Sequence, residues 1–164
     1  MTWLTNLPDG GDQHAQALAV LPNVAQRYQQ LSERIWQSSA DAALLELCRI
    51  RIAALHCFHW DSALRSAAAA HVTEAQIAAL PDYSSSPLFT EQQRRCLEFA
   101  EQYVMDVHGI TDDDFHRVAE TMTPAEMTAF TFALGIFDGM ARFSAILGIN
   151  AAIPALPDEH CSVS

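Results

Sequence analysis

Apolar residues recur at helical spacing along most of the chain, and a capping residue often stands just ahead of them. Thr73 is followed three positions on by Gln76, Thr90 by Gln93, and Thr123 by Glu126 with Pro124 between. In each pair the threonine hydroxyl can accept the third helical N–H while the Gln or Glu side chain returns to the threonine N–H. Proline suits the first helical position. Thr111 precedes Asp112, Asp113 and Asp114, acids placed at the positive end of a helix dipole. With the apolar periodicity, these starts predict helices over roughly 22–38, 40–55, 56–70, 73–80, 90–107, 111–120 and 123–149. Pro81 to Pro87 is a cluster of turn formers, too short for a domain linker. The expected architecture is all-α and single-domain: an N-terminal arm over 1–19, a helical domain over 20–149 and a C-terminal tail over 150–164.

The stretch 123–149 is apolar around most of its circumference, with Phe130, Phe132, Leu134, Ile136, Phe137 and Met140. Such a helix is either central to the core or buried against another subunit. Gly135 and Gly139 would let a second helix approach closely, in an intrachain crossing or from a second copy. Asp138 and Arg142 interrupt the apolar run at i,i+4 spacing and can pair. The stretch therefore reads as a buried helix and not a membrane span.

Composition narrows the partners. A chain of 164 residues, 50% hydrophobic, can bury a substantial core. The formal charge of −11, with nine Lys and Arg, argues against nucleic acid and against an anionic membrane surface. No basic segment followed by an apolar run opens the sequence, so no signal peptide is expected. Cys48, Cys57, Cys96 and Cys161 form no Cys-x-x-Cys pair and no secretory framework, which points to a reduced, cytoplasmic compartment.

Candidate chemistry concentrates between Glu46 and Leu64, where two acids (Glu46 and Asp61), two cysteines, two histidines and Trp60 sit in an apolar helical pattern. Glu46, Arg49 and Ala53 share one stripe. His56 and His59 flank Cys57, and an adjacent imidazolium or a helix N-terminus lowers a thiol pKa. Cys57 is thus either a nucleophile or a small buried hydrophobe. Two histidines make no zinc site, which needs three or four ligands, so neither a metal nor another cofactor is expected. The Asp112–Asp114 run lacks the alternating ligands of a calcium loop. His14 and His160 fall in the terminal arms, and His108 and His116 flank the Gly109 turn.

Glu46-Leu-x-Arg-Ile-Arg-Ile-Ala-x-Leu55, Val72-Thr-Glu-x-x-Ile-x-Ala-Leu-Pro-Asp-Tyr83, Ser86-Pro-Leu-Phe-Thr-Glu91, Ile110-Thr-Asp-Asp-Asp-Phe115 and Thr123-Pro-Ala-Glu-Met127 together resemble the carboxymuconolactone decarboxylase family, which includes the alkylhydroperoxidase-D-like proteins. The resemblance spans roughly residues 20–149. It implies an all-helical fold of about six to seven helices and a homo-oligomer, trimer or hexamer. In peroxidase-type members a glutamate precedes Cys-x-x-Cys-x-x-x-His: the second cysteine attacks hydroperoxide, the first resolves it, and glutamate and histidine relay protons. Decarboxylase members process a lactone by acid/base chemistry.

Glu46 matches the family glutamate, but the following segment departs from the pattern. Alignment back from Leu80-Pro81 sets His56 and His59 at the cysteine positions and Ala63 at the histidine. Alignment on Cys57 sets Trp60 and Leu64 there. Either way the local two-cysteine peroxidase cycle is not expected to run, unless Cys48 or Cys96 approaches Cys57 in space. The resemblance then implies an enzyme acting on a small organic hydroperoxide or a lactone-like molecule. Glu46 would be its proton relay, Cys57 its nucleophile and His56 or His59 its general base, with Phe58 and Trp60 lining the pocket. The alternatives are a non-catalytic oligomer binding a small ligand or partner, and a metal-dependent variant using His56 and His59.

Overall fold

The computed structural model describes residues 7, 13–57 and 65–149. The elements are α1 (Gln13–Ala19), α2 (Pro22–Trp36), α3 (Ala42–Leu55), α4 (Glu74–Ala78), α5 (Glu91–Met105), α6 (Asp112–Ala119) and α7 (Pro124–Ile146). Three 3-10 turns at Ala67–Ala69, Leu80–Asp82 and Val107–Gly109 complete them, and no strand occurs among the described residues. The all-α expectation holds.

Local chemistry fixes the helix starts. Thr73, Thr90, Thr111 and Thr123 each form a complete capping box, with Gln76, Gln93, Asp114 and Glu126 returning the second hydrogen bond. The Thr111 hydroxyl and N–H, with Arg117 added, hold the Asp114 carboxyl at about 2, below its ordinary value of 3.8. Asp41 caps α3 by accepting from the Leu44 N–H at 3.0 Å.

The core is built around α3, which packs on α5 and α7. Leu44 through Ile50, Ile52 and Ala53 are all buried, so α3 is enclosed on every side over the two turns from Leu44 to Ile50. Most of its partners come from the inward stripes of α5 (Cys96, Leu97, Phe99, Ala100) and α7 (Met127, Phe130, Leu134, Phe137, Ala141). The α7 stripe follows i, i+3, i+4 spacing, as one buried helical face requires. Its opposite side is open: Phe132 is 54% exposed and Ile146 72%. The most apolar helix is therefore not the most enclosed. By length and composition α7 is apolar enough to cross a membrane, yet its inward stripe is part of the core and it carries the Asp138–Arg142 pair.

Two expectations change. The stretch 56–70 is not one helix. Cys57 takes φ 53, a left-handed conformation that ends α3, and of the described residues beyond it only Ala67–Ala69 turn helically. Residues 13–19, expected within an arm, form α1. Its His14 is buried, hydrogen-bonded through Nδ1 to the Ser144 hydroxyl at 3.1 Å, and in edge contact with Tyr28 and Phe143. The two α7 glycines also differ from each other. A Cβ at Gly135 would lie 3.1 Å from the Tyr103 hydroxyl, whereas one at Gly139 would meet nothing within 4 Å. Gly139→Ala is accordingly expected to stabilise the protein by up to about 1 kcal/mol, because alanine loses less backbone entropy in a helix. A raised denaturation midpoint checks this.

Candidate functional site

Glu46 lies one turn into α3 and is 1% exposed. A carboxylate at that depth is costly unless it is paired and hydrogen-bonded. Arg49, one turn on and itself buried, closes a two-point fork: Nε donates to Oε2 at 2.9 Å and Nη2 to Oε1 at 3.1 Å. Ser66 adds its backbone N–H to Oε1 at 2.9 Å. Both carboxylate oxygens are thus engaged by three N–H donors. Glu46 holds the chain just beyond the segment 58–64, and the neighbouring Arg65 is held separately by a fork onto Glu74 at 3.0 and 3.1 Å.

At the near side of that segment, His56 is the C-terminal cap residue of α3. Its Nε2 lies 2.7 Å from Asp138 Oδ1 on α7, with side-chain exposures of 15% and 16%. Arg142, one turn further along α7, donates Nε to Asp138 Oδ1 and Oδ2 at 3.0 and 2.9 Å and Nη2 to the Val104 carbonyl at 3.1 Å. The Asp138–Arg142 pairing expected from spacing is present, and His56 joins it.

Cys57 follows directly and is disulfide-bonded. Cys48 and Cys96 are free thiols, so neither is its partner, unlike the sequence alternative in which one of them approaches it. The chain's remaining cysteine is Cys161, outside the described residues. Cys48 is fully enclosed, donating weakly to the Cys96 carbonyl at 3.7 Å. Burial, with Cys96 alongside, pushes the Cys48 thiol well up, and burial pushes that of Cys96 up to about 12. Both remain protonated near neutrality and are poor nucleophiles.

The candidate residues therefore divide. Glu46, His56 and Cys57 share α3 and its end, while Phe58, His59 and Trp60 lie outside the described residues. Sequence reasoning had placed Arg49 on the Glu46 stripe without giving it a role, and had not connected Asp138 to His56. Each left a signal: an acid and a base at i,i+3 in one case, a lone acid deep in an apolar helix in the other. Among the described residues no group of three or more His, Cys, Asp or Glu is arranged to hold a metal.

Among the described residues, clefts also open elsewhere. An apolar one of about 720 Å³ between α6 and α7 is lined by Phe115, Met122, Met127 and Phe132 among others. Two polar ones beside α5, of about 170 and 480 Å³, share Arg95, Glu98 and Arg117. Above the second, Arg51 pairs with Glu101 at 2.6 Å and stacks over Tyr83 at 5.9 Å, and burial together with Glu101 raises the Tyr83 phenol. None of these clefts is lined by Glu46, His56 or Cys57.

The sequence matches the carboxymuconolactone decarboxylase family over residues 22–102. No curated protein matches it significantly in sequence. Among solved structures, it is similar to a protein of unknown function from Agrobacterium tumefaciens, ascribed to antioxidant defence as an AhpD. Identity is 19%, covering 84% of this chain and 95% of that one, with a TM-score of 0.70. It is also similar to an uncharacterized peroxidase-related protein from Silicibacter sp. TM1040, at 14% identity over 84% and 75% of the two chains, with a TM-score of 0.73. The chain belongs to the carboxymuconolactone decarboxylase family and has the alkylhydroperoxidase-D-like fold.

Proposed function

We propose that the protein reduces small organic hydroperoxides through Cys57, without a Cys-x-x-Cys pair. The observation that carries this reading is the pairing of the cysteines: Cys57 is disulfide-paired beside the His56–Asp138 pair, while Cys48 and Cys96 are unpaired and buried. A cysteine that is oxidised to a disulfide in a reduced compartment is mostly catalytic or redox-sensing. The peroxidase-related and antioxidant descriptions of the two structural neighbours agree with this chemistry.

The cycle begins with Cys57 as thiolate. Its sulfur attacks the terminal oxygen of the hydroperoxide, the O–O bond breaks, and the alkoxide leaves as alcohol after taking a proton from His56. The resulting sulfenic acid condenses with a second thiol, releasing water and leaving a disulfide. For that second thiol we propose Cys161, because Cys48 and Cys96 are buried and unpaired. An external dithiol then reduces the disulfide. Glu46, with both oxygens engaged, has an anchoring role in this scheme and His56 carries the proton.

The proposal includes a cytoplasmic setting and a homo-oligomer, trimer or hexamer. Assembly is supported by the exposed Phe132 and Ile146 on α7 and by the apolar cleft beside Phe132. Purified protein is expected to couple cumene or tert-butyl hydroperoxide to dihydrolipoamide oxidation, one dithiol per alcohol formed. No turnover across a range of alkyl hydroperoxides would overturn the reading.

A further inference from the structure

Asp138 is the sole acid in α7 beyond Glu126 in the first turn, and it lies among residues whose neighbours Phe137 and Ala141 are in the core. Both its oxygens accept from Arg142, and Oδ1 also faces His56 Nε2 at 2.7 Å. An ionised carboxylate only accepts hydrogen bonds. When the His56 ring is neutral, its single proton must therefore sit on Nε2, leaving the Nδ1 lone pair as base. Among the described residues, Nε2 is the ring nitrogen with a hydrogen-bonding partner. Arg142 fixes Asp138, since its Nη2 is tied to the Val104 carbonyl at the end of α5, and Asp138 fixes the ring.

Resting on the hydroperoxide reading above, we infer that Asp138 is a positioning residue: it sets His56 in the Nε2–H tautomer so that Nδ1 takes the proton of the reduced Cys57 thiol. The transfer makes a thiolate and an imidazolium whose Nε2–H still points at Asp138. When the O–O bond of the hydroperoxide breaks, the Nδ1 proton passes to the departing alkoxide and the neutral tautomer returns. An aspartate behind a histidine that serves a nucleophile has this tautomer-setting effect in hydrolytic triads, where the asparagine variant keeps the geometry but loses about 10⁴-fold in rate.

The experiment combines ¹⁵N-edited histidine spectra with the rate of Cys57 alkylation by iodoacetamide in the reduced protein. Wild type is expected to show the neutral His56 ring as the Nε2–H tautomer. Asp138→Asn, which can present either an amide N–H or a carbonyl to the ring, is expected to lose that single tautomer. It should also slow alkylation about 10²-fold or more, with an unchanged circular dichroism spectrum. Arg142→Gln, which frees the carboxylate without removing it, should slow alkylation less than tenfold. A wild-type ring protonated on Nδ1 overturns the inference and needs no variant to fold. So does an Asp138→Asn protein that keeps both tautomer and rate. Alkylation requires no hydroperoxide, so a slowed Asp138→Asn variant in a protein without hydroperoxide turnover would defeat the hydroperoxide reading and leave the positioning role standing.

Discussion

Arg49→Met is expected to cost about 3–5 kcal/mol of stability, a large part of the roughly 5–15 kcal/mol that holds a domain folded. The substitution keeps the length of the side chain but removes two of the three donors that satisfy Glu46. The carboxylate is 1% exposed, so water cannot replace them without opening α3. Ser66 alone would be left to hold it. The companion change separates charge from packing. In Glu46→Gln/Arg49→Met both charges are gone, while the glutamine carbonyl still accepts from the Ser66 N–H. Removing both members of a buried pair is far less damaging than removing one. The double variant should recover more than half of the loss, as read from urea midpoints. Equal losses in single and double variants would mean that the pair acts through shape and not through charge.

Cys57→Ser is expected to lower hydroperoxide turnover by at least about 10²-fold, because serine at neutral pH supplies neither a thiolate nor a sulfur that can be oxidised. Cys48→Ala and Cys96→Ala provide the contrast. Both thiols are buried and held in the protonated form, Cys96 up to about 12, so their loss should spare turnover. Each should instead cost stability, since truncation leaves a small void in the packing of α3 on α5. Assayed with dihydrolipoamide and cumene hydroperoxide, activity surviving in Cys57→Ser or vanishing in Cys48→Ala would reassign the nucleophile.

How far the sequence could be read follows from the range of the interactions. Thr73, Thr90, Thr111 and Thr123 each announce a helix that begins at the next residue, because both hydrogen bonds of a capping box lie within four positions. The i,i+4 pairing of Asp138 with Arg142 was legible for the same reason. What failed to show depends on distant partners. His14 looks like a tail residue until Ser144, 130 positions away, meets it. The chain after Leu55 carries helix-forming residues, yet the left-handed turn at Cys57 ends α3. An apolar circumference marked α7 for the core or for a subunit contact, and within this chain α3 is enclosed over more of its circumference.

The candidate site divides along the same line. Glu46, His56 and Cys57 could be picked out by residue type and by likeness to the family, whereas their states could not. Glu46 reads as a proton relay by likeness to the family, which calls for a carboxyl free to exchange a proton. The fold turns the guanidinium one turn later onto it and removes that freedom. His56 reads as one of a histidine pair around a thiol, and its partner comes instead from Asp138, 82 positions on. The departure from Cys-x-x-Cys marked the loss of a local disulfide, while the disulfide at Cys57 involves neither nearby thiol.

The central claim is that Cys57 is the oxidisable thiol of the chain, and one measurement addresses it directly. Fully reduced protein is mixed with one equivalent of cumene hydroperoxide, quenched with an alkylating agent, and its cysteine peptides are mapped by mass spectrometry without reduction. The account predicts loss of the free Cys57 peptide, its recovery in a disulfide with Cys161, and Cys48 and Cys96 alkylated as thiols once the protein is unfolded. Cys57 recovered as an unmodified thiol while the hydroperoxide is consumed, or oxidation falling on Cys48 and Cys96, would contradict it.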